Sequence, residues 1–292
     1  MENLDKNNVP QQAMRGRENF LKKIIKSNKA LHALIYKILR CNRFVFILRN
    51  SRLNTDSLFE TIAIETCSIC NRKCSFCPMN QDTTPKGLMS NELFDKIIRE
   101  LKEISFKGDV AFSNYGEPLL DKRIVDFTKK VKKELGNRVM FSTNGDFLTP
   151  QKFRELISAG FDIFHVSQHD SEPSKTIKDL FSKTSPQEWK YISYEIVKND
   201  SVTLTNRGGL VEVKTYYPFY CALRHVIVRA NGEVSFCCND YYNEVKLGNI
   251  KQEKLIDIWN KPLYRQIRNE IKRGIFNLPI CKRCRGILPQ KS

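Results

Sequence analysis

The sequence of 292 residues lacks any apolar run of eighteen or more residues, and it has only four histidines and two tryptophans. Without such a run we expect no membrane-spanning helix. Its beginning shows no charged segment followed by an apolar one and a cleavage site, so we expect no secretory leader. Hydrophobic residues make up 41% and charged residues 28%, which is typical of a soluble globular protein with one or two domains.

Acidic residues are also scarce, at 32 against 49 Lys and Arg, which leaves a net charge of +17. Residues 1–57 hold twelve of the basic residues and four of the acidic ones. Apolar residues at helical spacing alternate with lysines between residues 15 and 48, which predicts a basic helical extension. Such a segment can pack on the rest of the protein, contact a partner or lie on an anionic membrane surface. The charge alone is no sign of nucleic-acid binding, and we expect none.

Cysteine, by contrast, is abundant, with ten residues that include several C-x2-C and C-x3-C pairs. Pairs of this kind favour thiolates bound to metal in a reducing cytoplasm over a disulfide framework. Cys70, Cys74 and Cys77 have C-x3-C-x2-C spacing on one short loop. Soft thiolates select zinc or iron–sulfur clusters, and structural zinc needs four ligands. Three cysteines without a nearby fourth therefore indicate a [4Fe–4S] cluster with one iron open to another ligand.

Strands and helices alternate along the middle of the chain. Hydrophobic patterning predicts strands at 61–65, 109–115, 138–142 and 161–167, with helices at 90–101, 122–135 and 151–158 between them. This order predicts an α/β fold with a parallel sheet, in which ligands bind beyond the carboxyl ends of the strands.

Polar residues follow the ends of these strands. Gly116 permits close backbone approach and Glu117 suits an ammonium group. The segment Ser142-Thr143-Asn144 offers hydroxyl and amide groups for a ribose and a carboxylate. His169 lies past the end of the fourth strand, where it can contact a substrate, whereas His165 is expected to be an ordinary packed residue.

A different pattern begins after residue 200. A short strand is predicted at 202–204, a tight turn with two glycines presents Arg207, and Asn231-Gly232 predicts a hairpin. A last helical face ends at Gly274. Four further cysteines, suited to either zinc or an iron–sulfur cluster, are Cys221, Cys237, Cys281 and Cys284.

These motifs together resemble radical S-adenosylmethionine (AdoMet) enzymes with an auxiliary cluster domain of the SPASM or twitch type. The resemblance implies a partial (β/α) TIM-like barrel followed by a small C-terminal domain with an auxiliary iron–sulfur cluster. The expected division is a basic extension at 1–57, a barrel at 58–200 and an auxiliary domain at 201–292. The implied cofactors are AdoMet and two [4Fe–4S] clusters, the second held by Cys221, Cys237, Cys281 and Cys284.

The resemblance also implies roles for individual residues. In this family AdoMet is cleaved to a 5′-deoxyadenosyl radical that takes a hydrogen atom from the substrate. Arg207, Tyr115, His169 and Cys238 fall at active-site positions, with Arg207 where a proton is taken up. The residues expected at AdoMet are Phe76, Tyr115, Gly116, Glu117, Ser142, Thr143, Asn144 and Gln168.

The leading functional hypothesis is a dehydrogenase. Stretches between Ile62 and Cys284 are similar to family members that oxidise a secondary alcohol of an aminocyclitol to a ketone. The expected substrate is thus a sugar, cyclitol or polyol, and the expected electron donor is a flavodoxin or ferredoxin. Those relatives have a glutamate for the substrate amine where this sequence has Asn239. The alternatives are an epimerase with Cys238 as hydrogen donor, a peptide-modifying maturase, and a non-enzymatic zinc-ribbon protein that binds anions.

Overall fold

The structure is a computed structural model that describes residues 46–47, 50–51, 53–80, 82, 86–170, 172–197, 205–212, 221 and 223–289. Within these ranges seven strands form one sheet. The strands are β1 (Thr61–Ile64), β2 (Asp109–Phe112), β3 (Val139–Thr143), β4 (Ile163–Gln168), β5 (Ile192–Ile196), β6 (His225–Val228) and β7 (Val234–Ser235).

The described α-helices alternate with the strands and then follow them. They are α1 (Asn91–Glu103), α2 (Ile124–Glu134), α3 (Pro150–Ser158), α4 (Lys175–Lys183), α5 (Leu255–Asn260), α6 (Pro262–Lys272) and α7 (Pro279–Cys284). Short 3-10 helices lie at Pro78–Asn80, Pro118–Leu120 and Glu188–Tyr191. The Ser90 hydroxyl accepts a hydrogen bond from the Leu93 N–H and so caps α1 as predicted. Gly136, at φ 71°, follows α2 in the left-handed conformation expected after a helix.

The sheet has the order β5-β4-β3-β2-β1-β6-β7. The first six strands in this order, β5-β4-β3-β2-β1-β6, pair with their neighbours in parallel, as expected for a barrel that is only partly closed. β6 pairs with β1, with His225 opposite Thr61, although more than 160 residues separate them. β7 turns back on β6 at Gly232, whose φ of 88° allows the tight hairpin turn.

The two faces of the sheet have different environments because successive side chains of a strand point to opposite sides. One face packs into the apolar core beneath the helices with fully buried side chains, which include Ile62, Ile64, Val110, Phe112, Val139, Phe141, Phe164 and Val166. The other face lines a cavity with smaller or more polar residues, which include Thr61, Ala63, Met140, Ser142 and Ser167. The fold therefore leaves a concave polar surface for ligands.

The helices after the sheet pack on the segment that precedes β1. Arg268 of α6 is buried, with its guanidinium 3.7 Å from the centroid of the Trp259 ring. It donates to the carbonyl oxygens of Thr55 and Trp259 at 3.0 and 2.9 Å. The Trp259 indole donates in turn to the Ser57 carbonyl oxygen. These contacts fix the start of the barrel against the C-terminal helices.

The four predicted strands and three predicted helices of the middle segment are present, with ends that shift by one to three residues. β2 ends at Phe112 rather than Tyr115, which releases Tyr115 into a loop. Four elements, α4, β5, α5 and α7, were not predicted from the sequence. The predicted strand at 202–204 and nearly all of the basic extension lie outside the described residues. No helix in the described ranges has the length and apolar character needed to cross a membrane.

Candidate active site

A cavity of about 520 Å³ opens on the polar face of the sheet at the carboxyl ends of its strands. Its lining includes most of the residues that the sequence singled out. From the barrel come Cys70, Cys74, Phe76, Cys77, Tyr115, Gly116, Glu117, Ser142, Thr143, Asn144 and His169, and from the later segment come Arg207 and Cys238. Parallel strands end at one edge, which is why loops that are distant in sequence meet here.

The first cysteine group lies on the loop between β1 and α1. The Cys77 N–H donates to the Cys74 carbonyl oxygen at 3.0 Å, and the Arg72 N–H donates to the Cys70 sulfur at 3.5 Å. Burial raises the pKa of Cys74 to about 11 and also raises those of Cys70 and Cys77. Binding of a metal by these thiols therefore has to release protons.

Glu117 joins the ends of β2 and β3. Its side chain accepts hydrogen bonds from the Thr143 hydroxyl at 2.7 Å and from the backbone N–H groups of Asn144 and Leu119 at 2.9 and 3.1 Å. Burial raises the pKa of Glu117, and these hydrogen bonds oppose the rise. A carboxylate has about four acceptor positions, so three of them are occupied and one is left for a ligand. Glu117 thus positions the Asn144 loop, a role that the sequence did not reveal.

Asn144 connects β3 to the first cysteine loop. Its Nδ2 donates to the side-chain oxygen of Asn71 at 2.9 Å and lies 4.0 Å from the Cys70 sulfur. Gly116 also contacts the beginning of this segment, since a Cβ atom there would lie 1.8 Å from the Cys67 carbonyl oxygen. A glycine is required at this position because the two backbones touch.

Arg72 holds the same loop to the neighbouring strand ends. Its guanidinium donates twice to Asp146, at 2.7 and 2.6 Å, and forms an ion pair of 2.8 Å with Asp170. Hydrogen bonds from Arg72 lower the pKa of Asp146. Sequence reasoning missed this network, because no local pattern brings together residues that are about 75 and 100 positions apart.

Gln168 is placed differently from the other expected AdoMet residues, since it does not line the cavity. It is fully buried, and its side-chain oxygen accepts hydrogen bonds from Ser174 N–H and the Tyr194 hydroxyl. Its side-chain amide nitrogen, Nε2, donates to the Asn144 carbonyl oxygen at 3.4 Å. This geometry favours support of the Asn144 loop, and direct contact of Gln168 with AdoMet stays a prediction.

Phe76 and His169 meet on one side of the cavity. Their ring centroids are 4.8 Å apart in an edge-to-face arrangement. Burial lowers the pKa of His169, and the positive charge of Arg72 adds to the effect. The imidazole is therefore favoured in its neutral form, and its buried Nδ1 has no hydrogen-bond partner among the described residues. A neutral imidazole with a free ring nitrogen can contact a ligand hydroxyl.

Tyr115, Arg207 and Cys238 form another part of the cavity lining. The Tyr115 hydroxyl donates to the Cys238 carbonyl oxygen, and the Arg207 guanidinium lies 5.7 Å from the centroid of the Tyr115 ring. Tyr241 packs edge-on against Tyr115 with ring centroids 4.6 Å apart. Cys238 itself is an exposed thiol in the cavity wall.

A left-handed turn presents Arg207. Arg207, Gly208 and Gly209 have φ values of 50°, 69° and 90°, which confirms the tight turn expected from the two glycines. The Arg207 Nε is buried and has no hydrogen-bond partner among the described residues. Burial lowers the pKa of Arg207, but the interactions with Tyr115 and the nearby cysteines raise it, and the pKa ends above its ordinary value. The side chain is a cation with an unused donor beside the cavity.

The second cysteine group lies just behind Cys238. Cys221, Cys237, Cys281 and Cys284 line one cavity, between the β6–β7 hairpin and the last two helices. Burial raises the pKa of Cys281 to about 12 and that of Cys284 to about 11. Asn239 donates hydrogen bonds toward two of the four sulfur atoms, those of Cys237 and Cys284.

Both groups have donor sets that suit iron–sulfur clusters, because thiols share a cavity and N–H groups point at their sulfur atoms. Among the residues that the structure describes, no three His, Cys, Asp or Glu side chains converge as the ligands of a single metal ion do. A cluster of four irons separates its thiolates more widely than one ion does, so this spacing does not conflict with a cluster.

Comparison with known proteins identifies the family. A model of the radical SAM superfamily matches residues 64–210, and a model of an iron–sulfur cluster-binding domain, SPASM, matches residues 220–285. The chain belongs to the radical SAM superfamily. The predicted family, the predicted fold and the prediction of an enzyme are thereby confirmed.

This radical SAM enzyme is similar to the S-adenosyl-L-methionine-dependent 2-deoxy-scyllo-inosamine dehydrogenase of Niallia circulans. The two are 28% identical over 243 residues, which cover 80% of this chain and 96% of the relative. It is also similar to the crystal structure of BtrN in complex with AdoMet and 2-DOIA, with a TM-score of 0.70, 28% identity, and coverage of 78% of this chain and 93% of that one. An open conformation of BtrN gives a TM-score of 0.61 at 26% identity, with coverage of 80% and 96%.

These matches bear on the alternatives left open by the sequence. Membership of the radical SAM superfamily argues against a non-enzymatic zinc-ribbon protein. The match to an iron–sulfur cluster-binding domain covers residues 220–285, which include the second cysteine group, and so favours an iron–sulfur cluster over zinc there. The number and type of clusters, the roles of individual residues and the domain boundaries at residues 58 and 201 stay predictions.

Proposed function

We propose that the protein is a dehydrogenase that oxidises a secondary alcohol of a sugar or cyclitol to a ketone. The observation that supports this most is the position of Arg207 and Cys238. Both line the cavity that the first cysteine group also lines, and Cys238 is the immediate neighbour of Cys237 in the second group. A substrate in this cavity would lie between a site of hydrogen abstraction and a site that can accept an electron.

The proposal assigns two [4Fe–4S] clusters to the chain. Cys70, Cys74 and Cys77 would hold the first, which leaves one iron for the amino and carboxylate groups of AdoMet. The four thiols that share the second cavity would hold the auxiliary cluster. Together, the bound cofactors supply a hydrogen-abstracting radical and a one-electron acceptor.

Oxidation of a carbinol removes one hydrogen atom from carbon, one proton from oxygen and one electron. The bound cofactors would take up the hydrogen atom and the electron, and the proton would leave to solvent. Arg207 is a poor base because its pKa lies above its already high ordinary value. Its unused Nε–H instead suits an alkoxide that develops as the proton leaves. We therefore assign Arg207 to electrostatic stabilisation of that oxygen.

The other cavity residues bind and orient ligands in this proposal. Ser142 is exposed toward the cavity and suits the AdoMet ribose, and the remaining acceptor position of Glu117 suits the AdoMet amine. Phe76 and the neutral His169 form another part of the cavity wall. His169, with a free ring nitrogen, suits a substrate hydroxyl.

The proposed substrate differs in one respect from the inosamine after which the similar dehydrogenase is named. Asn239, where relatives have a glutamate, is buried and hydrogen-bonded to Thr205 and Cys284, so it offers no carboxylate to a substrate amine. The described carboxylates that line the cavity are Glu117, whose remaining acceptor position is assigned to the AdoMet amine, and Glu195, which accepts one hydrogen bond from Ser167. The amide in place of a carboxylate at position 239 therefore favours a neutral polyol over an aminocyclitol held at that position.

The proposal is tested by product analysis. Anaerobically reconstituted protein is reduced with AdoMet and incubated with a panel of matched cyclitols, sugars and their amino derivatives. We expect one ketone per 5′-deoxyadenosine, with neutral polyols turned over faster than their amines. Cleavage of AdoMet without ketone from any member of the panel would exclude the proposed reaction for these substrates.

A radical epimerase is the second candidate, and the exposure of the Cys238 thiol in the cavity favours it. A thiol on the far side of a substrate radical can return a hydrogen atom to the opposite face of the carbon. In deuterated water an epimerase would give an alcohol with deuterium at the inverted carbon, and Cys238→Ala would abolish that label. A ketone at the attacked carbon in place of the inverted alcohol would identify the dehydrogenase.

The expected partners follow from the same chemistry. The first cluster needs a one-electron donor, for which a flavodoxin or ferredoxin is the expected class. Membrane or partner contact through the basic extension stays a prediction, because the extension lies almost wholly outside the described residues. No contact within the described residues favours a peptide substrate over a small molecule.

A further inference from the structure

Asn239 contacts two of the four thiols of the second cysteine group. Its backbone N–H donates to the Cys237 sulfur and its side-chain Nδ2 donates to the Cys284 sulfur, both at 3.4 Å. The residue is 5% exposed, so these hydrogen bonds are shielded from water. A polar amide in such a place is stable only because its donors and acceptor are satisfied.

The same residue also holds the segment that carries Arg207. The Asn239 side-chain oxygen accepts a hydrogen bond from the Thr205 hydroxyl at 2.8 Å. Its backbone oxygen lies against Gly208, where a Cβ atom would come within 2.9 Å. Burial raises the pKa of Cys284, and an interaction with the Gly208 backbone opposes that rise. Asn239 and Cys284 thus form one contact surface beneath the Arg207 turn.

We propose that Asn239 is a positioning residue that raises the reduction potential of the auxiliary cluster and fixes the Arg207 turn against it. Hydrogen bonds to thiolate ligands stabilise the reduced, more negative state of a cluster and so raise its potential. Loss of the Nδ2–H donor therefore makes the auxiliary cluster a weaker electron acceptor. The inference rests on the auxiliary cluster of the proposed function.

The first test measures potential rather than activity. Full-length protein with Cys70→Ala, Cys74→Ala and Cys77→Ala keeps only the auxiliary cluster, whose one-electron reduction is followed by electron paramagnetic resonance during an anaerobic redox titration. Asn239→Leu in this background retains the branched shape of the side chain and the backbone N–H but loses both Nδ2 and the Oδ1 that accepts from Thr205. We expect the Asn239→Leu protein to bind as much iron as the triple-alanine protein and its auxiliary cluster to have a more negative reduction potential. A loaded cluster with an unchanged potential overturns the inference.

Two further results distinguish failure of this inference from failure of the proposed function. If the triple-alanine protein itself binds no iron, the auxiliary cluster is absent and the proposed function fails. If only Asn239→Leu fails to load, Asn239→Ser is titrated in its place, because its hydroxyl is too short to reach Cys284. An unchanged potential in the loaded serine variant also overturns the inference.

Thr205→Val separates the two effects assigned to Asn239. It removes the hydroxyl that holds the Arg207 segment and leaves the Asn239 donors in place. We expect the potential of the auxiliary cluster to stay unchanged, while the ratio of ketone to 5′-deoxyadenosine falls in the otherwise complete enzyme. A potential shifted as far as that of Asn239→Leu would contradict a specific role of Nδ2.

Discussion

The Tyr115 hydroxyl donates a hydrogen bond to the backbone carbonyl oxygen of Cys238, which lies 123 positions further along the chain. Tyr115 follows β2 in the barrel, and Cys238 follows a cysteine of the auxiliary group. One contact therefore joins the two cysteine-bearing regions across the cavity. It also places an aromatic wall beneath the Arg207 guanidinium.

Tyr115→Phe tests the structural value of this contact. We expect a loss of about 1 kcal/mol or less in the free energy of unfolding, because one hydrogen bond is lost and the ring packing is retained. The ratio of ketone to 5′-deoxyadenosine is also expected to fall, since the Cys238 segment loses an anchor. Tyr191→Phe, outside the cavity, is the matched control for both measurements. Equal behaviour of the two variants would show that the contact has no such role.

Arg207→Lys tests the electrostatic role. Lysine keeps the charge but lacks the planar guanidinium and its Nε–H, so we expect AdoMet cleavage to persist while ketone yield falls at least about tenfold. Arg138→Lys is the control, because Arg138 precedes β3 at the opposite end of the sheet. Ketone and 5′-deoxyadenosine are quantified in the same reaction. An unchanged ketone yield in Arg207→Lys would refute the assignment.

Glu117→Gln tests the support of the Asn144 loop. The Glu117 carboxylate accepts hydrogen bonds from two N–H groups and one hydroxyl. In glutamine one of the two oxygens becomes an NH2 group, which cannot accept from an N–H group, so the loop loses a buried hydrogen bond. We expect AdoMet to bind roughly tenfold more weakly, in line with one charge-assisted hydrogen bond. Equilibrium binding of AdoMet to the reconstituted protein measures this. Glu155→Gln on α3 should bind AdoMet as the unsubstituted protein does.

Histidine burial predicts a dependence of stability on pH. Burial lowers the pKa of His165 below its ordinary value of 6.5, so the unfolded chain binds a proton more readily than the folded one. The free energy of unfolding should therefore fall as the pH drops through that value toward the lower folded pKa. His165→Gln should flatten this slope in thermal unfolding measured between about pH 5 and pH 8. An unaltered slope would mean that His165 titrates alike in both states.

Local sequence patterns predicted the parts of the fold that depend on local chemistry. Ser90 caps α1 through its own hydroxyl, and Gly232 turns the β6–β7 hairpin because it tolerates a positive φ. The pairing of β6 with β1 could not be predicted in this way, since strand partners distant in sequence are chosen by tertiary packing. The same limit applies to β5, which lies at the edge of the sheet.

Sequence predicted the composition of the site better than its contacts. Spacing alone indicated the first cysteine group, and the structure brings Cys70, Cys74 and Cys77 to one cavity. Hydrogen bonds from Thr143 and Asn144 to Glu117 have no sequence signature, because they depend on how two strand ends meet. The sequence at Asn239 indicates only a missing glutamate, whereas the structure shows a buried side chain that donates to the Cys284 sulfur.

Iron, sulfide and 5′-deoxyadenosine, measured on the same anaerobically reconstituted sample, show whether one chain holds both an AdoMet-cleaving cluster and an auxiliary cluster. We expect about eight irons per chain with AdoMet cleavage, and about four irons with cleavage retained in Cys221→Ala/Cys281→Ala. Zinc in place of iron, or about four irons and no 5′-deoxyadenosine in the unsubstituted protein, would contradict this expectation.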